Sequence, residues 1–340
     1  MNAATRDKLN ILSKTSPAKV LNLLALWLSF YLTKWFKRPI VWGLPYTLSI
    51  EPTTACNLGC PECPSGLRSF TRDTGNLKSE HLNIWMNELS THVGYVNFYF
   101  QGEPFIHPKI FELTSLVSKK KIYTATSTNA HFLNEKNAIK TVESGLDRII
   151  ISIDGTTQDV YEQYRVNGDL EKVINGTRNL IEAKKKLGSK KPFVIFQFLV
   201  VKPNEHQIDD VKKLAHELGV DELRFKTAQV YDPRDQHPLI PTIEKYSRYT
   251  RNSDGSYKIK NELQDECKRM WMGAVITWDG KVVPCCFDKD AKHQMGDLQE
   301  LRFSEIWKSS VYQSFRKQLF TNRKSIDICA NCSEGTKVWA

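Results

Sequence analysis

The chain has 340 residues and a hydrophobic fraction of 41%, which excludes a disordered or fibrous protein and predicts one large core with a smaller module beside it. The net charge of +10 either reflects solvated helix ends or favours an anionic partner such as acidic lipid or a phosphorylated substrate, and no nucleic-acid motif is present. The eight cysteines fall in two groups, and because no secretory signal is evident, we expect a cytoplasmic protein that binds metal through them.

An apolar segment covers residues 19–38 and predicts a helix. Its uncharged run, 20–33, is shorter than the ~20 residues that a membrane span needs. Two interpretations stay open: the helix packs across the protein's own core, or it lies in the inner membrane interface, held by Trp27 and Trp35. The polar positions form one narrow stripe on this helix: Lys19, Asn22, Ser29, Thr33 and Lys37.

Between residues 46 and 227, apolar β-branched runs alternate with helical patterns, which predicts a parallel sheet closed as a partial (β/α)6 barrel of the α/β class. In such a fold the active site lies at the carboxyl ends of the strands. The predicted strands are 47–53, 96–102, 122–128, 148–154, 193–201 and 222–227. The predicted helices are 78–90, 108–120, 134–144, 169–187 and 205–218.

Three cysteines, Cys56, Cys60 and Cys63, directly follow the first predicted strand. An iron–sulfur cube usually takes four thiolates, so three leave one iron open to a substrate or cofactor. Zinc with a remote fourth ligand is the alternative.

Several other predicted strands end in polar residues. Burying polar side chains costs free energy unless they are hydrogen-bonded, for example to a ligand. A simpler reading, as helix N-caps, remains open for Asp154 and Asn134. No catalytic base is assigned from the strand-end candidates His107, Asp154 and Glu51.

The Cys-x3-Cys-x2-Cys loop in this β/α series resembles that of the radical S-adenosylmethionine (SAM) superfamily over residues ~46–227. The resemblance implies a [4Fe-4S] cluster on Cys56, Cys60 and Cys63 whose open iron binds SAM. Reductive cleavage of SAM then yields a 5′-deoxyadenosyl radical that abstracts a substrate hydrogen atom. The family often has an aromatic residue before the third cysteine, and this chain has Glu62 instead, so no adenine contact is assigned there.

The strand-end motifs "QGEP", "STNA" and "ISIDG" resemble the superfamily's further SAM-binding elements. The resemblance implies that Glu103 receives the methionyl amine and that Arg165 pairs with the cofactor carboxylate, a role that suits a bidentate guanidinium. The remaining implied cofactor contacts are Thr128, Asn129 and Ser152.

The C-terminal cysteines lie around a predicted hairpin at Asp279-Gly280 and a helical stretch near 303–320. Their spacing resembles the SPASM, or twitch, module. This implies an auxiliary [4Fe-4S] cluster with a closed ligand set, and zinc on the same thiolates is the alternative. The resemblance leaves Cys286 as the spare cysteine, although the choice between Cys285 and Cys286 as the ligand stays open. The implied ligands are Cys267, Cys285, Cys329 and Cys332.

The resulting division of the chain has four parts. They are an N-terminal apolar helix with its linker (1–45), the partial barrel (46–230), a connecting segment that lines the substrate site (231–266) and the auxiliary-cluster module (267–340).

The resemblance implies a radical SAM oxidoreductase that oxidises a small or membrane-linked molecule and receives electrons from a donor such as flavodoxin or ferredoxin. Two alternatives stay open. One is a maturase that acts on a peptide, and the other is a metal-stabilised interaction protein without catalysis.

Overall fold

The computed structural model describes residues 2–230, 232–233, 237–260 and 263–332. The connecting segment and the C-terminal module therefore include positions, among them 333–340, that lie outside the described residues.

Two helices precede the barrel. Helix α1 (Ala3–Ser13) is followed by α2 (Pro17–Phe36), which covers most of the predicted 19–38 helix. The Ser16 hydroxyl accepts a hydrogen bond from the Lys19 amide at the start of α2, and Pro17 occupies the first helical position, where its missing N–H costs nothing. In the described part of the chain, no helix is long and apolar enough to cross a bilayer.

The next six strands pair in sequence order, every pair parallel, which confirms the predicted α/β partial barrel. The strands are β1 (Thr47–Ile50), β2 (Tyr95–Asn97), β3 (Tyr123–Thr128), β4 (Arg148–Ser152), β5 (Phe193–Val200) and β6 (Glu222–Thr227). The intervening helices are α3 (Pro64–Leu67), α4 (Ser79–Leu89), α5 (Ile110–Ser118), α6 (Glu135–Glu143), α7 (Gln158–Tyr164), α8 (Leu170–Lys186) and α9 (Ile208–Leu218).

The first two strands are shorter than predicted, because the chain turns where their polar residues begin. Strand β1 ends at Ile50 rather than at residue 53, and β2 ends at Asn97 rather than at 102. Gly102 adopts a positive φ of 74°, and a Cβ there would lie 2.2 Å from the Thr53 carbonyl oxygen. Only glycine fits this close crossing of the two strand ends.

The C-terminal hairpin extends the main sheet. Strand β9 (Gly273–Ile276) pairs in parallel with β1, with Thr47 opposite Gly273. With β10 (Lys281–Val283) and β11 (Gly296–Asp297) the sheet order is β11-β10-β9-β1-β2-β3-β4-β5-β6. The turn at Asp279-Gly280 joins β9 and β10 as predicted, and the helix predicted near 303–320 is two helices that break at Ser309. The elements are β7 (Tyr249–Arg251), β8 (Tyr257–Ile259), α10 (Arg269–Met272), β9 (Gly273–Ile276), β10 (Lys281–Val283), β11 (Gly296–Asp297), α11 (Phe303–Lys308), α12 (Ser310–Thr321) and α13 (Asp327–Ala330).

One large apolar cluster joins α2, the β1–β2 region and the C-terminal helices. Trp271 and Trp307 are fully buried in it, and their indole N–H groups donate to the carbonyls of Ile40 and Gly43, each at 2.9 Å. These bonds satisfy the polar ends of both rings and hold the linker before β1 against the C-terminal module.

Candidate active site

The three-cysteine loop lies at the carboxyl end of β1. Cys60 is buried, and Cys56 and Cys63 are partly buried. The Cys63 amide donates to the Cys60 carbonyl at 3.3 Å, and the Gly59 amide donates to the Val166 carbonyl at 2.8 Å, which ties the loop to the segment after α7. These bonds hold the three thiols on one short, ordered loop.

Burial raises the pKa of the Cys56 thiol to about 12, and the pKa of Cys60 moves in the same direction for the same reason. The neighbouring thiols add to this effect because each thiolate disfavours the next. Buried thiols of this kind become thiolates readily only beside a strong positive charge, such as bound iron. The donor chemistry therefore fits an iron–sulfur cluster. Among the described residues, no three His, Cys, Asp or Glu side chains are grouped for a single metal ion.

Glu103 lies next to this loop and is almost fully buried. Its carboxylate accepts hydrogen bonds from the Thr128 hydroxyl and the Asn129 amide, both at 2.7 Å, and from the Phe105 amide at 3.0 Å. Burial raises the pKa of Glu103, and these three donors oppose that shift. The Asn129 side chain also donates to the Asn57 side chain at 2.8 Å. The structure thus brings together Glu103, Thr128 and Asn129, as expected, and links them to the cysteine loop.

Arg165 connects the fourth strand with the cysteines. Its Nε donates to Asp154 Oδ2 at 2.5 Å, and its Nη1 lies 3.7 Å from Cys60 Sγ. Asp154 is buried and also accepts from the Leu199 amide at 2.7 Å, so it positions Arg165 rather than capping a helix. Ser152, the last residue of β4, is buried on the same strand end.

The other two base candidates have structural partners. Both Glu51 oxygens accept from Arg72, through Nη1 at 2.8 Å and Nη2 at 2.5 Å. His107 Nε2 bonds the Leu77 carbonyl at 2.9 Å, and its Nδ1 accepts from the Lys109 amide at 3.1 Å. Neither side chain is available for proton transfer. Asn134, by contrast, is the helix cap that the sequence allowed, since it accepts from the Asn137 amide.

Glu62 has a clear structural partner that the sequence pattern did not suggest. Its Oε1 lies 3.0 Å from His237 Nε2, in the segment after β6. Its backbone carbonyl accepts from Lys289 Nζ at 3.3 Å. Glu62 therefore links the cysteine loop to the connecting segment and to the C-terminal module. Both partners are distant in sequence, so no local signal predicts them.

The four C-terminal cysteines predicted as ligands line one enclosed cavity. Its other walls are apolar, from α10, α12 and the Phe287 region, apart from Arg269 and Arg323. Burial raises the pKa values of Cys285 and Cys329, the neighbouring thiols raise them further, and a hydrogen bond from Arg323 opposes the shift at Cys329. Four thiols without a histidine or carboxylate fit a fully ligated iron–sulfur cluster. The cysteines are Cys267, Cys285, Cys329 and Cys332.

The adjacent thiols of Cys285 and Cys286 have different surroundings. Cys285 lines the four-cysteine cavity. Cys286 Sγ instead accepts a hydrogen bond from Arg269 Nη1 at 2.9 Å. The assignment of Cys286 as the spare cysteine stays a prediction.

A cavity of about 440 Å³ with a mixed polar and apolar lining lies next to Pro64, which follows Cys63, and shares Phe287 and Ile328 with the four-cysteine cavity; we call it the central cavity. In the wall of this cavity, the Thr71 amide donates to Asp290 Oδ1 at 2.9 Å. This hydrogen bond joins the barrel to the C-terminal module. Burial lowers the pKa of Lys289 in its wall. Its polar lining includes Ser69, Thr71, Gln229, Asp288, Lys289 and Asn331. The volume is typical of a site for a small molecule.

Comparison with known proteins identifies the class. Residues 50–218 match the family model described as the radical SAM superfamily, and residues 267–333 match SPASM, an iron–sulfur cluster-binding domain. The chain belongs to the radical SAM superfamily and carries a SPASM module. Its cofactors are SAM, a [4Fe-4S] cluster that binds SAM, and auxiliary iron–sulfur clusters.

Curated relatives cover most of the chain. A tungsten-containing aldehyde ferredoxin oxidoreductase cofactor-modifying protein from Pyrococcus furiosus is 24% identical over 322 residues, which is 84% of this chain and 86% of the relative. The S-adenosyl-L-methionine-dependent 2-deoxy-scyllo-inosamine dehydrogenase of Niallia circulans is 23% identical over 291 residues, 84% of this chain and 92% of that protein.

Among solved structures, Streptococcus suis SuiB bound to precursor peptide SuiA is similar with a TM-score of 0.60. The alignment covers 81% of this chain and 67% of SuiB, with 15% sequence identity. At this identity the likeness concerns the fold.

Proposed function

We propose that this protein is a radical SAM oxidoreductase that oxidises a small polar molecule by two electrons. The observation that carries the proposal is the central cavity, which lies next to a three-thiol loop and a closed four-thiol cavity. Its lining includes Pro64, which follows Cys63, and Ile328, which precedes Cys329, so a substrate there would lie near both cysteine groups. The relative named as an inosamine dehydrogenase supports a small polyhydroxylated substrate.

In this proposal Cys56, Cys60 and Cys63 hold the cluster that binds SAM. Asp154 fixes the Arg165 guanidinium so that its Nη1 faces Cys60, which prepares a cation for the SAM carboxylate. Glu103 Oε2 accepts only one bond from the described protein residues, from the Asn129 amide, so it can accept another from the SAM amine. When bound, SAM and the two clusters supply hydrogen-atom abstraction and one-electron transfer, which together make a two-electron oxidation.

The four cysteines of the C-terminal cavity complete a ligand set by themselves. With no open position, such a centre suits electron transfer rather than substrate binding. This supports oxidation over redox-neutral rearrangement. Lys289 and Asp290 give the central cavity both signs of charge, which suits a polar substrate with donor and acceptor groups.

Peptide modification is the second candidate. It is favoured by the fold likeness to SuiB, which was solved with a precursor peptide. The end of β6 leads directly to Gln229 and Val230 in the wall of the central cavity, and an extended peptide entering there would pass this strand end. The two candidates differ in the mass of the molecule that loses hydrogen.

The test uses the anaerobically reconstituted full chain with SAM, a reductant and extract from deuterated cells, fractionated into metabolites and peptides. We expect deuterium in 5′-deoxyadenosine with the metabolite fraction. Label from the peptide fraction alone would establish the second candidate and overturn the first. Cys60→Ala is the inactive control, and Cys286→Ala is its matched active control. Zinc without iron in the purified protein would overturn both candidates.

A further inference from the structure

Apart from Lys37, which follows the last residue of α2 and is exposed, the polar stripe faces the protein and not the solvent. The buried Lys19 Nζ donates to the carbonyl of Lys121 at 2.6 Å. The buried Asn22 side chain donates to the Leu44 carbonyl at 2.7 Å and accepts from the Leu44 amide at 3.0 Å. Thr33 is fully buried as well. The expectation that α2 packs its apolar residues across the core therefore holds only for Leu26 and Phe30.

The opposite side of α2 is apolar and exposed, and we call it the outer face. Its positions recur at helical spacing and cover roughly a third of the circumference. Each of these side chains is between 41% and 83% exposed. The outer face consists of Val20, Leu21, Leu24, Trp27, Leu28, Tyr31 and Trp35, with Phe36 at its edge. A contiguous apolar strip of this kind is rare on a free protein surface and marks an interaction site.

The charge near the outer face is mainly positive, although Lys34 pairs with Glu266 at 2.6 Å and the Lys14 and Lys19 ammonium groups are turned inward. From residue 8 to residue 50 the sequence contains six Lys or Arg residues and no Asp or Glu. Lys37 and Arg38 are exposed where α2 ends. The outer face also carries two tryptophans and a tyrosine, the side chains that favour the headgroup level of a bilayer. An apolar strip with aromatic anchors and basic ends complements an anionic lipid surface.

We propose that the outer face docks this protein on the surface of an anionic phospholipid bilayer, with α2 lying in the plane of the interface. The proposal is independent of the reaction assigned to the active site.

The internal contacts of α2 set the orientation of the docked protein. Lys19 bonds a residue just before β3, Asn22 bonds one just before β1, and Phe30 packs on Trp271, just before β9, at 5.5 Å between ring centroids. The helix therefore crosses the amino ends of the strands. The cysteine loop follows the carboxyl end of β1. Docking then turns the active site away from the lipid, toward substrates in the aqueous phase.

The test is flotation of the reconstituted full chain with two kinds of vesicle. One is phosphatidylcholine alone, and the other contains about 30% phosphatidylglycerol. We expect binding to the anionic vesicles only, with release at about 0.5 M salt. Leu21→Glu should reduce the bound fraction about tenfold, because it places a charge in the apolar strip.

Ile84→Glu on α4 is the matched control, since Ile84 is 64% exposed and Leu21 is 66% exposed. It should bind as the unaltered protein does, and both variants should keep SAM cleavage. Equal binding by Leu21→Glu and Ile84→Glu, or no binding to anionic vesicles, would overturn the proposal. A lipid-free dimer that Leu21→Glu converts to monomer would also overturn it, because the outer face would then be a contact between two copies.

Discussion

The two ends of the main sheet both carry buried charge, but they use it differently. At the amino ends, the Asp147 carboxylate accepts from Asn10, Lys14, Lys191 and the Thr124 amide, and it is 1% exposed. At the carboxyl ends, Glu103 is also buried and Arg165 is partly buried, yet both lie beside the cysteine loop. Buried charge alone therefore does not identify a functional site.

The partners make the difference. Asp7 at the amino ends bonds Tyr123 and Arg148, so a network of charged and polar side chains runs from α1 to β4 within the chain. Around the cysteines, burial raises the pKa of Cys56 and of Cys60, and Arg165 opposes the shift at Cys60. Such a group is stable only with a ligand. The comparison predicts loss of function from changes at one end and loss of stability from changes at the other.

The largest effect should come from Cys60→Ala. It removes one of three thiolates from the SAM-binding cluster, so 5′-deoxyadenosine formation should become undetectable by chromatography. Iron per chain should fall by about half, because the four-cysteine cavity is unaffected. Cys286→Ala should leave both quantities unchanged. Normal SAM cleavage by Cys60→Ala would show that the loop is not the catalytic centre.

Asp147→Asn should lower the free energy of unfolding by about 3 kcal/mol, because it leaves Lys14 and Lys191 without their buried counter-charge. SAM cleavage per folded molecule should not change. Burial alone would raise the pKa of Asp147, but the hydrogen bonds from Asn10 and Lys14 hold it below its usual range.

The stabilisation by Asp147 is thus present at neutral pH and disappears as the pH falls through the lowered folded-state pKa. Urea denaturation at neutral and acidic pH measures this, with Asp209→Asn as an exposed control. Equal unfolding free energies for Asp147→Asn and Asp209→Asn would show that the hydrogen bonds and ion pairs of Asp147 do not stabilise the fold.

Glu103→Gln should weaken SAM binding about 10- to 100-fold in anaerobic equilibrium dialysis, since it removes the charge and turns an amide N–H toward existing donors. Glu112→Gln on α5, where the side chain is 54% exposed, is the matched control. A loss of stability with unchanged SAM affinity would show that Glu103 has a structural role, like Asp147 at the amino ends of the strands.

The smallest effect should come from Lys19, which lies at the amino ends of the strands. It should make the free energy of unfolding depend on pH. Burial lowers its pKa from 10.5 to about 8. The unfolded chain then binds more protons above pH 8, so the stability of the protein should rise with pH there, by about 1 kcal/mol between pH 8 and 9. Lys19→Met should lack this rise, whereas the exposed Lys8→Met should keep it. Parallel stability curves for all three proteins would contradict the assignment.

Features that depend on local pattern were predictable from the sequence. The β/α alternation and both cysteine groups follow from runs and spacings within short windows, and the structure confirms the partial barrel. The predicted strand ends were less accurate, because the chain around Gly102 leaves the sheet and passes close to the Thr53 carbonyl. Helix α7 was missed since its seven residues carry little periodicity.

Features that depend on distant partners were not predictable. The polar stripe of α2 was visible, but its burial requires carbonyls from Leu44 and Lys121, which the helix sequence does not contain. The Glu62–His237 contact has the same origin. A pattern shows which side of a helix differs from the other, whereas the fold decides which side faces inward.

The parallel pairing of β9 with β1 has a consequence for how the protein is made. Strand β1 is among the first to leave the ribosome, but one of its two edges stays open until residues 273–276 have been synthesised. An open parallel edge of this kind invites association between nascent chains. Chains that terminate before β9 should therefore be found in inclusion bodies or with chaperones, although they contain the complete three-cysteine loop. Slow expression, or expression of a chain that includes the C-terminal strands, should give a much larger fraction of soluble, folded protein.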